Sequence, residues 1–349
     1  MRVTIKDIAE MAGVSTATVS MVINAKDGKI SEATRERVMK VVNELGYRPA
    51  AYARQMKGKN SRTLGLIIPE LRNHFYPELT SGFSDRAEKE KYQVLLLNSR
   101  NKIESEEQFV RTLISMSVSG IAFCGVNAAD IEISNRECNL MRTLQKNGIA
   151  VVQLDRYYKL PDCCYIGIDN YQTAYDMTLI LLEKGYKKIV AIGDMVKTSI
   201  LEDRIRGYID AMHENGILPS VLQVDHKRFS NLEEVLRIFW ENPEKEQNVA
   251  IFDVISDIGA IECLKKLQEH GVKIPEDIGV VGFDDIYVAS KITPSLTTVS
   301  QPKYEMGEIA FDVLHEMIRM HTITAENIIL PCKYIEREST RSIRKCEGK

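Results

Sequence analysis

Eight short apolar runs recur beyond residue 62: TLGLIIP, QVLLLNS, GIAFCG, AVVQLD, YIGID, KKIVAIGD, NVAIFDV and DIGVVGFDD. Polar segments of helix or loop length separate them. A strand wetted on one face alternates apolar and polar residues, whereas these runs are nearly continuous in Val, Ile, Leu and Phe. They therefore read as parallel strands covered on both faces by amphipathic helices. Eight are too many for one ordinary doubly wound sheet, so the pattern predicts two α/β lobes, with ligands expected where strand carboxyl ends face a cleft. No repeat of about 20 to 50 residues and no low-complexity tract interrupts the pattern.

A chain of 349 residues with 44% hydrophobic content can bury such a core and still carry a smaller unit. That unit is legible at the amino end, in DIAEMAGVSTATVSMVIN (residues 7–24). Gly13 tolerates positive φ, so it can end one helix and turn the chain before Ser15 caps the next. Thr4 with Asp7 resembles a capping box, and Ile5, Ile8, Ala9 and Ala12 form the stripe the first helix buries. The second helix buries Val19, Val22 and Ile23 and turns Thr16, Ala17, Ser20 and Met21 outward. Such short side chains let a backbone settle close to another surface, such as a DNA groove. A third helix starts at Ser31, turns Val38, Val41, Val42 and Leu45 inward and stops at Gly46. A helix, Gly turn and helix occur in many folds, generic three-helix bundles included.

Charge narrows the choice. Residues 1–62 hold 12 Lys and Arg against 6 Asp and Glu, a balance of +6, while the remaining 287 residues hold 34 against 43, a balance of −9. A basic head on an acidic body suits a phosphate-binding module joined to a domain that stays off nucleic acid. Between them, GYRPAAYARQMKGKNSRT places Pro49 where a first helical turn accepts it, and Gly58 ends the run. So short a helix is marginal alone and forms when something packs on it; Arg48, Arg54, Lys57 and Lys59 point to DNA, with a solvated basic linker as the alternative.

Met1 to Thr4 leads into the first helix without an apolar leader, and no stretch approaches a membrane span, so a cytoplasmic chain without a membrane partner is expected. The seven cysteines show no C-x-x-C spacing and read as small core residues, so no metal is expected. No P-loop, G-x-S-x-G, H-E-x-x-H or paired-carboxylate signature marks catalysis, so no catalytic residue, enzyme activity or cofactor is expected.

TIKDIAEMAGVSTATVSMVIN, ATRERVMKVVNELGYRPAAYARQMKG and TLGLIIPELRNHFYPEL resemble the LacI/GalR family of bacterial transcription regulators, and the resemblance continues through DIGVVGFDD and PSLTTVSQP. It implies an all-α helix-turn-helix head over residues 1–48, a hinge helix and linker over 49–61, and a two-lobed core over 62–341 of two doubly wound parallel sheets, like periplasmic sugar-binding proteins. The lobes would be 62–162 plus 293–322 and 163–292 plus 323–341, with a tail at 342–349. The implied assembly is a homodimer on a pseudo-palindromic operator, with a tetramer left open.

Carried over residue by residue, Thr16, Ala17 and Met21 match positions that read base edges, while Ser15, Thr18 and Ser20 match backbone or phosphate contacts. Thr4, Asn24, Tyr47, Arg48, Ala53, Arg54 and Lys57 complete the implied DNA surface, with Met56 as the hinge side chain wedged into the central base step. Met21 departs from the Arg or His common there, and a thioether offers only apolar contact, so the operator should differ at that base pair.

Asn73, Phe75, Asp155, Arg156, Arg204, Asp257, Asp284 and Gln301 match effector-lining positions. Carboxylates accept hydrogen bonds from sugar hydroxyls, Arg donates several in one plane, and Phe75 could cover a ring face, so a neutral carbohydrate fits best, with room for a sugar acid or sugar phosphate. Each has a structural alternative: Asp155 could pair with Arg156, Asp257 could cap its helix, and Asp284 could cap a loop. The stretch before Asp257 departs from the family, reading Ser256-Asp257 and one residue longer. The expected function is a repressor switched by a small molecule; the alternative is a global carbon-control regulator that takes a phosphorylated carrier protein as corepressor.

Overall fold

The computed structural model describes residues 4–23, 30–45, 61–126, 129–158, 160, 162–196, 198–241, 248–322 and 325–343. The chain divides into two units, Met1–Ser61 and Arg62–Lys349.

In the first unit, α1 (Ile5–Met11), α2 (Thr16–Ile23) and α3 (Glu32–Glu44) enclose one small core. The Thr4 amide donates to Asp7 Oδ2 at 2.6 Å while Thr4 Oγ1 accepts from the Asp7 amide, so the expected capping box starts α1. Gly13 at φ +63° makes the turn. Ser15 Oγ accepts from the Thr18 amide at 3.1 Å, and Ser31 Oγ from the Thr34 amide, so both serines act as caps, each contributing about 1 kcal/mol. Ile8, Val19 and Val38 are fully buried at the centre, whereas Ile5, Ile23 and Leu45 only flank it.

The second unit holds two six-stranded sheets among the described residues. Its first part runs β1 (Thr63–Ile68), α4 (Phe75–Lys89), β2 (Gln93–Asn98), α5 (Ile103–Met116), β3 (Gly120–Phe123), α6 (Ile131–Lys146), β4 (Ala150–Leu154) and β5 (Tyr165–Gly167). There follow α7 (Asn170–Glu183), β6 (Lys188–Asp194), α8 (Ser199–Glu214), β7 (Ser220–Val224), α9 (Leu232–Leu236), α10 (Ile238–Glu241), β8 (Val249–Asp253), α11 (Asp257–Glu269) and β9 (Ile278–Asp284). The chain ends with β10 (Thr297–Ser300), α12 (Lys303–Met320), β11 (Ile328–Ile329) and β12 (Lys333–Ile335). The sheet orders are β11-β5-β4-β3-β1-β2 and β12-β10-β9-β8-β6-β7, every pairing parallel except the antiparallel edge of β10 with β12. Strands β1, β3, β8 and β9 are buried almost throughout, as their apolar runs require.

Sheet membership differs from the expected lobe division. Residues 165–167 were expected in the second lobe, but β5 pairs with β4 through Gln153–Tyr165 and Leu154–Ile166 in the first sheet. Residues 297–300 were expected in the first, but β10 pairs with β9 in the second, and β11 returns to β5. The chain therefore crosses between lobes at 168–169, 301–302 and 330–332. Turn signals such as Pro294 mark where loops end, and hydrogen-bond register decides which sheet a strand joins.

After the second crossing α12 returns to the first lobe and lies against α4 so closely that a Cβ on Gly82 would stand 2.0 Å from the Tyr304 carbonyl oxygen, and one on Gly307 would stand 2.1 Å from that of Leu79. Glycine is what permits the contact.

Candidate DNA-reading surface and interlobe cleft

On α2, Thr16, Ala17 and Met21 are exposed along one face, Met21 at 38%, and Thr18 and Ser20 lie half-buried beside them. Ser15 is exposed, but its hydroxyl is engaged with Thr18 Oγ1 at 2.9 Å, and the Thr4 hydroxyl donates to Asp7 Oδ2. An exposed strip of small side chains ending in one thioether is what a helix needs to enter a groove. Asn24, Tyr47, Arg48, Ala53, Arg54, Met56 and Lys57 lie outside the described residues, and with them the hinge helix.

In the core, carboxyl ends of both sheets open toward each other. Asp155 follows β4 at φ +65°, 6% exposed, and its Oδ2 accepts from Tyr76 Oη at 3.3 Å and from Cys124 Sγ at 3.7 Å. Burial pushes the Asp155 carboxyl up, against the pull of Arg156 and Arg204. Arg156 lies 3.9 Å from Asp155, so the pairing expected as an alternative exists, but most of its donors go elsewhere: Nη1 to the carbonyls of Gly125 and Val126, Nη2 to Tyr76 Oη at 3.2 Å.

From the second lobe comes Arg204, in α8. Its Nε donates to Asn170 Oδ1 at 2.8 Å and its Nη1 to the carbonyls of Val254 and Ile255 at 3.0 Å, while the guanidinium lies 3.6 Å above the Phe283 ring centroid. Asp284 ends β9 at φ +113°, and Asp285 follows at +52°. Two non-glycine residues in that region cost about 1–3 kcal/mol each, and the turn is pinned. Lys303 Nζ donates to both their carbonyls, Arg337 Nη2 bonds Asp285 Oδ1 at 2.6 Å, and Gln301 Nε2 donates to Asp284 Oδ1 at 2.7 Å. Burial pushes the Asp284 carboxyl up to about 7, offset in part by Arg204 and Lys303.

The structure thus brings Asp155, Arg156, Arg204, Asp284 and Gln301 to one cleft and leaves three expected residues out of it. Asn73 is exposed, and its Oδ1 accepts from the Phe75 amide at 2.9 Å to start α4. Phe75 is 3% exposed and packs edge-on to Tyr76 within the core. Asp257 is fully buried: Oδ2 accepts from the Ile286 amide at 2.7 Å and Oδ1 from Thr298 Oγ1. It braces the second lobe, and Ser256 rather than Asp257 caps α11. Tyr76, Asn170, Phe283 and Lys303 were missed. Tyr76 is the neighbour of Phe75 and just as buried, but its hydroxyl reaches Asp155 and Arg156, a contact that no local spacing encodes.

Burial pushes the Asp257 carboxyl up to about 8, the charge on Asp284 adding to the effect, from about 3.8 in an open chain. Between those values the unfolded chain ionises and the folded one stays protonated, so this group favours folding at low pH and its contribution declines as pH rises toward 8. Asp257→Asn keeps the shape without the charge. Its urea midpoint is therefore expected to drop less between pH 5 and pH 8 than the parent's; equal drops would show that Asp257 does not titrate in this window.

Beside the cleft opens a cavity of about 270 Å³, lined by Tyr157, Tyr165, Ile168, Ile200, Asp169 and Asp203 among others. Among the described residues no group of three or more His, Cys, Asp or Glu is placed to hold a metal, and no helix is long and apolar enough to cross a membrane.

A helix-turn-helix head and a two-lobed core with a polar cleft define a ligand-binding regulator of the periplasmic-binding-protein-like class. Residues 4–50 match bacterial regulatory proteins of the lacI family, and residues 179–340 match a periplasmic binding protein-like domain. The chain is 35% identical to the HTH-type transcriptional regulator RegA of Clostridium saccharobutylicum over 97% of its own length and 100% of the relative's. It is 30% identical to catabolite control protein A of Priestia megaterium, over 98% and 100%. The solved complex of the transcriptional regulator CelR with cellobiose shares 27% identity at a TM-score of 0.67, covering 97% of this chain and 100% of that one. This chain belongs to the LacI family of DNA-binding transcriptional regulators.

Proposed function

We propose that the chain represses transcription as a homodimer on a pseudo-palindromic operator, and that a small carbohydrate bound between the core lobes switches its operator affinity. The observation that carries the reading is Arg204. This buried guanidinium of the second lobe is tied to Asn170 beside the first crossing and to two strand-end carbonyls, where a ligand touching it can bias how the lobes close. The solved complex of the related CelR with cellobiose supports the ligand class. The test is operator release or capture by the full chain, titrated with a sugar panel and, separately, with a phosphorylated carrier protein. A response to sugars alone supports the reading; a response to the phosphoprotein alone replaces it with the carbon-control alternative.

Residues 49–61 are assigned to the hinge in this reading, with Met56 entering the central step of the minor groove. On α2, Met21→Arg is expected to shift operator preference toward guanine at one symmetric position by about 1–3 kcal/mol, because Arg donates twice to that base's edge. Selection from a randomised operator library checks it, and an unchanged profile removes Met21 from the reading residues.

A further inference from the structure

The second lobe holds a buried acid–imidazole pair outside the cleft residues. β8 ends on Asp253, within the stretch that reads one residue longer than the family's, and its side chain is fully buried. Asp253 Oδ2 lies 3.0 Å from Nε2 of His226, in the loop that leaves β7, and the imidazole is 8% exposed. α11 makes room for the pair with an interior glycine: a Cβ on Gly259 would stand 2.1 Å from Asp253 Oδ2 and 2.2 Å from His226 Cε1. The loop is fastened around Asp225, whose Oδ1 accepts from the Lys227 amide and Oδ2 from Ser230 Oγ, and it holds Phe229 at φ +53° against the His226 ring. A glycine inside a helix and a bulky residue in the left-handed region both disfavour folding unless the contact they allow compensates.

The pair reaches the cleft through one short segment. Asp253 Oδ1 accepts from the amides of Ile255 at 3.0 Å and Ser256 at 3.1 Å, which turns residues 253–256, and the carbonyls of Val254 and Ile255 in that turn each accept from Arg204 Nη1 at 3.0 Å. One carboxyl group is thus shared between the imidazole and the turn that holds Arg204. Charge on His226 decides how it is shared, because a buried carboxylate without a counter-charge is costly. Burial lowers the ring's affinity for a proton, but Asp253, Asp194 at the end of β6 and Asp225 outweigh it and push the ring above its ordinary value of 6.5. Cys263 of α11 also lies within the field of Asp253, and burial pushes its thiol up, so it stays neutral.

We propose that His226 is a proton-dependent positioning residue for Arg204. Charged, it neutralises Asp253 and fixes the 253–256 turn in the form that presents its carbonyls to the guanidinium; neutral, it leaves Asp253 without a counter-charge and the turn loosens. The hold on Arg204 then tracks pH, and with it the effector response. That last step rests on the reading of Arg204 as the switching residue, whereas the coupling of His226 to Arg204 does not.

The test uses the full chain without ligand. Urea midpoints of the core transition are measured for the parent, His226→Gln, Arg204→Lys and the double variant at about pH 6 and about pH 8.5. Gln keeps a donor for Asp253 and cannot take up the proton. A group that holds its proton more tightly when folded stabilises fully below its unfolded value and loses that contribution as pH rises through its folded one. The parent midpoint is therefore expected to exceed that of His226→Gln at pH 6 and to lose at least half of that lead by pH 8.5. Asp257 and Asp284 titrate in both chains and cancel in the difference. At pH 6 the double variant is expected to lose clearly less than the two single losses added together, and at pH 8.5 the losses should approach additivity. A lead that does not shrink, or additive losses at both pH values, overturns the proposal. If His226→Gln does not fold, Asp253→Asn takes its place and should flatten the parent's pH profile; an unchanged profile overturns the proposal. Coupling that persists in a chain whose operator release ignores every sugar faults the effector reading and leaves the latch standing.

Discussion

Arg204→Ala is expected to cost the core about 3–5 kcal/mol, seen as a lower urea midpoint with an unchanged slope. The side chain satisfies Asn170 Oδ1 and two backbone carbonyls, and it offsets the charges of Asp284 and Asp155. Truncation strands all of these in a buried setting and removes the group that covers the Phe283 ring. Arg204→Lys is expected to recover part of the loss, since an ammonium restores charge but cannot reproduce the planar fork. Both variants should lose the effector response. Below its melting range the alanine variant should still hold operator, because the head has its own core. If Arg204→Ala unfolds at the parent's midpoint, the cleft floor does not depend on these bonds.

Operator affinity is expected to fall about 10³-fold or more between 50 and 200 mM salt, the range for a protein neutralising about 6–10 phosphates. The head's 12 Lys and Arg against 6 Asp and Glu supply that number across two protomers, and the acidic remainder of the chain adds nothing to it. Titrations of a labelled operator at several salt concentrations give the slope directly. A fall of less than tenfold would mean that contacts other than phosphate neutralisation dominate binding.

Eight strands were legible because each leaves a nearly unbroken apolar run, most of them buried on both faces, although β2 (QVLLLN) is a part-exposed edge with Leu96 open to solvent. The four that were not counted, β7, β10, β11 and β12, lack that signature. SVLQV (β7) is a half-exposed edge, β11 is two residues long and β12 three. TTVS (β10) is almost wholly buried, but threonines stand where aliphatics would have announced it. The site divides in the same way. Asp155 and Asp284 could be found because they end apolar runs, but what each acid does is set by residues far away in sequence. Asp257 binds Thr298 and the Ile286 amide, contacts that no local spacing encodes. Two partners of Arg204 are backbone carbonyls, which carry no residue identity to read, and the third, Asn170, lies 34 residues away.

The three crossings between lobes have a consequence for how the chain is made. The head is contiguous and draws only on neighbouring residues, so it can fold as soon as it leaves the ribosome. The first lobe cannot, because α12 and β11, synthesised after every strand of the second sheet but its last, complete its core and one sheet edge. Until then the face of α4 that awaits Gly307 is open, and the nascent protein is a finished DNA-reading head followed by a core that closes only when its last helix arrives.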